Sequence, residues 1–229
     1  MMFTSLGFRN LDFYYHPDRP ILNHVTCDFP MNQAVWIRAP ATSGRSSLFK
    51  VLALLTAPKA GDYLINGEST RYMSFEESVP FRLKMGYGFD SGGLLNNRTL
   101  HDNLVLTPVY HKIWTPEEAH EHAMVWLKRF QLESSEKMLP SAVSGGQRKI
   151  ATLIRALILE PEIVFLDEPT LGLNSYAQGM LIEQLADLRR QGRIRHVFLA
   201  SSDEAFARRI SDCELQFENQ GLVPMGVSA

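Results

Sequence analysis

A continuous apolar run, Ile163-Val164-Phe165-Leu166, ends in Asp167-Glu168-Pro169. Such a run fits a strand buried on both faces. A buried strand delivers both acids rigidly to one point. Asp167 can hold Mg²⁺ through a water, and Glu168 can orient or deprotonate an attacking water. Taken alone, the pair also fits a solvated acidic turn. Upstream, Ser141-Ala142-Val143-Ser144-Gly145-Gly146-Gln147 leads into a helical stretch ending at Ala156-Leu157-Ile158-Leu159-Glu160-Pro161. Ser144, Gly145 and Gly146 stand at the start of that helix. Backbone N–H groups and the helix dipole make an anion site there, and the missing side chains let a phosphate come close.

A second phosphate-binding segment precedes these. Ala34-Val35-Trp36-Ile37 reads as a buried strand, and helical spacing runs from Ser46 to Leu55. Between them lies Ala39-Pro40-Ala41-Thr42-Ser43-Gly44-Arg45-Ser46-Ser47. Strand, small-residue loop and helix are the context that the pattern G-x-x-x-x-G-K-[ST] requires. Here Ala39 replaces the first Gly and Arg45 replaces the phosphate-gripping Lys, while Gly44 and the Mg²⁺-ligating hydroxyl of Ser46 remain. A small-residue turn before a helix is common. Its place ahead of the Ser-Gly-Gly-Gln and Asp-Glu segments identifies it as the phosphate loop.

The order and spacing of these segments resembles the ABC ATPase family: a Walker A loop, an LSGGQ-type signature, its helix, then a Walker B strand. The resemblance spans residues 5–227 and implies ATP and Mg²⁺ as ligands. It assigns nucleotide contacts to residues 39–47, Asp90 and Ser202, metal contacts to Ser46 and Asp167, and the general base to Glu168. Tyr15 matches the aromatic that stacks on adenine, although a strand-face aromatic in the core is the alternative. Gly86-Tyr87-Gly88-Phe89-Asp90 matches the Q-loop region, with Asp90 in place of Gln. Thr42 stands where the family usually has another Gly, Asn174 replaces the D-loop Asp, and Ser202 replaces the switch His. The family arrangement is a head-to-tail pair of subunits with two nucleotides between them. One subunit supplies the phosphate loop and Glu168, and the other supplies Ser144, Gly145, Gly146 and Gln147 in trans. Homodimer and heterodimer both stay open.

The family role is to couple ATP binding and hydrolysis to a transmembrane permease, through a groove near the Q-loop and the helical insertion. That implies a cytoplasmic subunit peripheral to the inner membrane. Ser91-Gly92-Gly93-Leu94-Leu95, Asp102-Asn103-Leu104 and Lys137-Met138-Leu139-Pro140-Ser141 are similar to the ATPase of Mla-type, Mce-associated lipid transporters. Lipoprotein-release and division-associated subunits share parts of this pattern. The changed Lys, Gln and His raise a second reading, a nucleotide-responsive regulatory subunit with little turnover. Retained Glu168 opposes it. A permease-independent ATPase of repair or cofactor assembly is a third reading.

The elements that must position these residues can be read around them. Phe8, Leu11, Phe13 and Tyr15 mark a β segment broken by a hairpin turn at His16-Pro17-Asp18-Arg19-Pro20. Gly61 to Gly67 reads as a strand ending in an Asn-Gly turn. A helix is expected over 115–130, capped by Thr115 with Pro116, Glu117 and Glu118 in its first turn. Another covers 176–191, and His196 to Ala200 is a further buried strand. The expected fold is α/β: a RecA-like P-loop NTPase core (1–89 and 161–229), an antiparallel β part, and a helical insertion over 90–160 carrying the signature.

The bulk properties agree. The chain has 229 residues, 45% hydrophobic, with a formal net charge of -2. That suits one sizeable core and gives no reason to expect nucleic acid as a partner. Cys27 and Cys213 are too far apart in sequence for a metal motif and read as reduced thiols. No signal peptide is expected, and no apolar stretch approaches the ~18 residues of a spanning helix. His120 and His122 are expected on a solvated helix face, Arg189, Arg190, Arg193 and Arg195 at a helix end, and Trp114 and Trp126 in packing roles.

Overall fold

The computed structural model describes residues 2–40 and 42–224. Strands β1 (Leu6–Tyr14) and β2 (Pro20–Asp28) pair antiparallel around the expected turn. Strand β3 (Ala34–Arg38) leads through the small-residue loop into α1 (Arg45–Leu52). The helix ends short of Leu55, because Leu54 adopts a left-handed φ of 56° that no helix continues. Strands β4 (Ala60–Ile65) and β5 (Glu68–Ser69) turn at Asn66 and Gly67, both with positive φ, as a two-residue hairpin requires. Helix α2 (Phe75–Arg82) and strand β6 (Met85–Gly88) follow. Then come α3 (Leu100–Tyr110), α4 (Pro116–Arg129) and α5 (Gly145–Leu157), with short 3-10 turns between the last two. The chain continues through β7 (Ile163–Asp167), α6 (Ser175–Arg190), β8 (His196–Ala200), α7 (Glu204–Ile210), β9 (Cys213–Glu218) and β10 (Gly221–Pro224).

Two sheets result. One has the order β2-β1-β4-β5 and is antiparallel. The other has the order β10-β9-β3-β8-β7-β6, parallel throughout except for β10. The central parallel strands carry continuous apolar runs, Ala34 to Ile37, Ile163 to Leu166 and Val197 to Ala200, because both of their faces are covered. Val35, Ile37, Phe165 and Phe198 enter one core with Phe8, Phe13 and α1 residues Leu48 and Phe49. Trp36, Leu166 and Leu199 enter the other, under Leu127, Ile154, Leu181 and Phe206 of the helical side. This is a RecA-like α/β core with an antiparallel sheet beside it. Among the described residues no helix is long and apolar enough to cross a membrane.

Helix α4 carries the expected cap: Thr115 accepts from the Glu118 N–H, and Glu118 accepts from that of Thr115. Capping boxes at Ser74 with Glu77 and at Thr99 with Asp102 open α2 and α3 in the same way. His120 and His122 lie exposed on α4 as expected, and each also has a partner: His120 Nδ1 lies 2.9 Å from His101 Nε2, and His122 stacks on Trp114 with ring centroids 4.1 Å apart. The arginines at the end of α6 and beyond are ion-paired, Arg189 with Asp212, Arg190 with Asp187 and Arg193 with Glu160.

Close approach of β6 to α5 sets a testable requirement. A Cβ on Gly86 would lie 2.0 Å from the Ala156 carbonyl oxygen, a backbone atom that cannot swing aside. Gly86→Ala should lower stability by about 3 kcal/mol. On α6 a Cβ at Gly179 meets nothing within 4 Å, so Gly179→Ala should raise stability by about 0.5–1 kcal/mol. Urea midpoints of the two variants should therefore move in opposite directions.

Candidate functional site

Strands β3, β8, β7 and β6 are neighbours, and all point the same way. Their carboxyl ends release four loops side by side, which is where open parallel sheets bind ligands. The loops carry residues 39–47, Ser201 and Ser202, Asp167 and Glu168, and Asp90. Gly44 caps α1 at φ 94°, and a Cβ there would sit 2.3 Å from Ile21 Cγ2. The N–H groups that open a helix lack intrahelical partners, and those of α1 follow directly on the loop.

Glu168 sits at the centre. Its N–H donates to the Ala200 carbonyl, and its φ of 43° turns the chain sharply as it leaves β7. One carboxylate oxygen, Oε1, accepts from Arg45 Nη2 at 2.6 Å. The other, Oε2, accepts from both the backbone N–H and the hydroxyl of Ser202, each at 2.9 Å. Arg45 and Glu168 are only 7% and 9% exposed, so their attraction is little screened. Asp167 is buried beside them. Burial pushes its carboxyl above the usual range and the charge of Asp90 adds to this, while a hydrogen bond from the Ser46 hydroxyl opposes it.

Buried orphan atoms gather here. Among the described residues, the buried side-chain polar atoms without a hydrogen-bond partner are Trp36 Nε1, Ser43 Oγ, Arg45 Nε, Asp90 Oδ1, Glu136 Oε2 and His196 Nε2. Half of them belong to the phosphate loop and Asp90. Buried polar groups are normally paired, so these open donors and acceptors fit an absent polar ligand. Arg45 Nε and Ser43 Oγ can donate to phosphate oxygens. Ser46, Asp167 and the unpaired Asp90 oxygen make a hydroxyl-and-carboxylate set that suits Mg²⁺.

The remaining expected residues fall as follows. Tyr15 is 59% exposed, so the core alternative does not hold. Its ring meets Phe13 edge-on, and its hydroxyl lies 3.4 Å from Ser47 Oγ on α1. Ala39 packs half-buried against the core, and Pro40 and Thr42 are exposed. Ala41 lies outside the described residues. Ser144 and Gln147 form the capping box of α5, and Gly145 is exposed at its first turn. Among the described residues no hydrogen bond joins Ser144, Gly145, Gly146 or Gln147 to residues 39–47, Asp167 or Glu168; Gln147 instead reaches Ser135. Asn174 caps α6 by accepting from the Ala177 N–H.

Lys149 was not singled out from the sequence. Its ammonium donates to the carbonyls of Phe89, Asp90 and Asp167 at 2.8, 3.0 and 3.1 Å. Burial pushes it down to about 8, against the pull of Asp90, Asp167 and Glu168. It ties the signature helix to two of the four loops. A lysine one position before the apolar stripe Ile150, Leu153, Ile154 and Leu157 was the available signal.

Comparison with known proteins agrees with this geometry. The L-cystine transport system ATP-binding protein TcyN of Escherichia coli is 26% identical over 230 residues, covering 98% of this chain and 91% of that protein. The intermembrane phospholipid transport system ATP-binding protein MlaF of Escherichia coli is 28% identical over 171 residues, 75% of this chain and 64% of that protein. The dimeric post-hydrolysis structure of the ATP-binding cassette MJ0796, bound to ADP and Pi, superposes with a TM-score of 0.85 at 23% identity, covering 96% of this chain and 98% of that one. A profile described as ABC transporter matches residues 22–171, more than half of the sequence, and the chain belongs to the ATP-binding part of that family.

Proposed function

We propose that this chain is the ATP-binding subunit of an ABC transporter, coupling ATP binding and slow hydrolysis to a membrane permease. The observation that carries this reading is the meeting of the phosphate loop, Asp167, Glu168 and Asp90 around open buried donors and acceptors. In it, residues 39–47 hold the phosphates and Tyr15 packs on the base. Ser46, Asp167 and Asp90 hold Mg²⁺, which when bound offsets phosphate charge in the transition state. Glu168 orients the attacking water. Ser144 to Gln147 close over the nucleotide of a second subunit, either another copy or a related chain. Residues 90–160 form the helical insertion, and the subunit works at the cytoplasmic face of the inner membrane.

The permease docks in a groove of about 360 Å³ between α2, α3 and the end of α5. Phe75 and Tyr110 line it and are 66% and 76% exposed. Exposed aromatics beside a groove are typical anchors for a partner. Residues 91–95, 102–104 and 137–141, with the likeness to MlaF, support a lipid substrate. The likeness to TcyN stands at similar identity and is the reason lipid is the narrower part of this proposal. The regulatory reading gains one observation, since both oxygens of Glu168 are already occupied.

Two measurements test the proposal. A fluorescent ATP analogue with Mg²⁺ should bind saturably and be displaced by ATP but not by AMP; no binding at millimolar concentration would refute the nucleotide role. Tyr110→Glu with Phe75→Glu should cut membrane association in native extracts at least about tenfold, with ATP affinity retained. Lost ATP affinity with intact membrane association would place the permease contact elsewhere.

A further inference from the structure

Two of the positions where this chain departs from the family pattern meet on one side chain. Arg45, in place of Lys, donates to Glu168 Oε1, and Ser202, in place of His, donates twice to Glu168 Oε2. The carboxylate is thus held at both oxygens by groups from two other loops. A forked guanidinium suits this, because it spans to a carboxylate while keeping further donors. One of those donors, Arg45 Nε, is buried with no acceptor. Ser43 Oγ, two residues earlier in the same loop, is also without a partner.

We infer that Arg45 and Ser202 are positioning residues of Glu168, which they hold in the nucleotide-free subunit, and that the terminal phosphates of a nucleoside triphosphate compete with Glu168 for Arg45. The inference rests on the proposed nucleotide role and adds its regulation. While Arg45 faces Glu168, Oε1 carries an ion pair and Oε2 two hydrogen bonds, which makes the carboxylate a poorer acceptor for a proton from water. Phosphate oxygens arriving at the loop draw the guanidinium away, since charge-assisted bonds to phosphate are of the same kind and strength. Glu168 becomes available only when triphosphate is present. Lys149 is turned to carbonyl groups and does not replace Arg45.

The competition is read by equilibrium titration of fluorescent ATP and AMP analogues into wild type, Glu168→Gln, Arg45→Met and the double variant, without Mg²⁺, with thermal melts to confirm folding. Glu168→Gln should raise ATP affinity about tenfold and leave AMP affinity unchanged, because AMP lacks the phosphates that reach Arg45. The gain should vanish in the Arg45→Met background. Should Glu168→Gln not fold, Glu168→Asp, with a carboxylate too short to meet both loops, should show a smaller gain of the same pattern. A gain that persists with Arg45→Met would mean simple relief of repulsion between Glu168 and phosphate, and overturns the inference. So does unchanged or weaker ATP binding by Glu168→Gln when wild type binds. If wild type and every variant fail to bind ATP, the nucleotide role itself fails and the inference falls with it.

Discussion

Arg45→Lys combined with Ser202→His should raise the ATP turnover of the isolated protein by about a hundredfold. The phosphate loop works by position, with a compact ammonium reaching the β- and γ-phosphate oxygens. Arg45 keeps the charge, but its flat, forked group is engaged by Glu168 at 2.6 Å. Lysine places a point charge on a shorter stem and releases one carboxylate oxygen. Histidine at 202 removes the hydroxyl donor to the other oxygen and supplies an imidazole near the terminal phosphate. Each regained transition-state contact is worth about 3 kcal/mol, but groups that act as a unit do not add. The double change should therefore exceed either single change without reaching their product. Phosphate-release assays on the four proteins check this. Equal rates for all four would show that neither departure limits turnover.

The second large effect is assembly. Glu168→Gln with Mg-ATP should convert a 26.0 kDa monomer to a dimer in light scattering, because turnover no longer reopens the pair. Among the described residues, Ser144, Gly145 and Gly146 share no hydrogen bond with their own phosphate loop, so their anion-binding helix start is available to a partner's nucleotide. Gly145→Asp separates this role from folding. A Cβ at Gly145 finds only the end of Arg148 at 3.8 Å, and an acid in the first turn suits the helix dipole. The fold should therefore stand while the negative charge repels phosphate and abolishes the dimer. A Glu168→Gln protein that binds ATP and stays monomeric, alone and with its permease, would contradict the trans arrangement.

Much of the scaffold could be read in advance because its strands are buried on both faces. Ile163 to Leu166 and Val197 to Ala200 have no polar position to interrupt the run, and Thr115 and Ser144 announce their helices by capping boxes. Elements outside the central sheet were harder. Helices α2 and α3 contain Pro80 and Pro108, which break the helical pattern. At the site, the loops were legible from motif spacing. The contact of Arg45 with Glu168 was not, because the two are far apart in sequence and meet only through the order β3-β8-β7. The same holds for Lys149, whose partners are carbonyl groups that carry no sequence signature. The altered residues can be identified from the sequence, but the fact that two of them converge on Glu168 requires the structure.

The most direct measurement follows labelled ATP bound to the isolated wild-type protein with Mg²⁺ and asks how fast it becomes ADP. The account predicts saturable binding, with bound nucleotide remaining ATP for minutes. Conversion at the ~1–100 s⁻¹ of good phosphoryl-transfer enzymes, abolished by Glu168→Gln, would contradict it by showing that Arg45 and Ser202 leave Glu168 free to act.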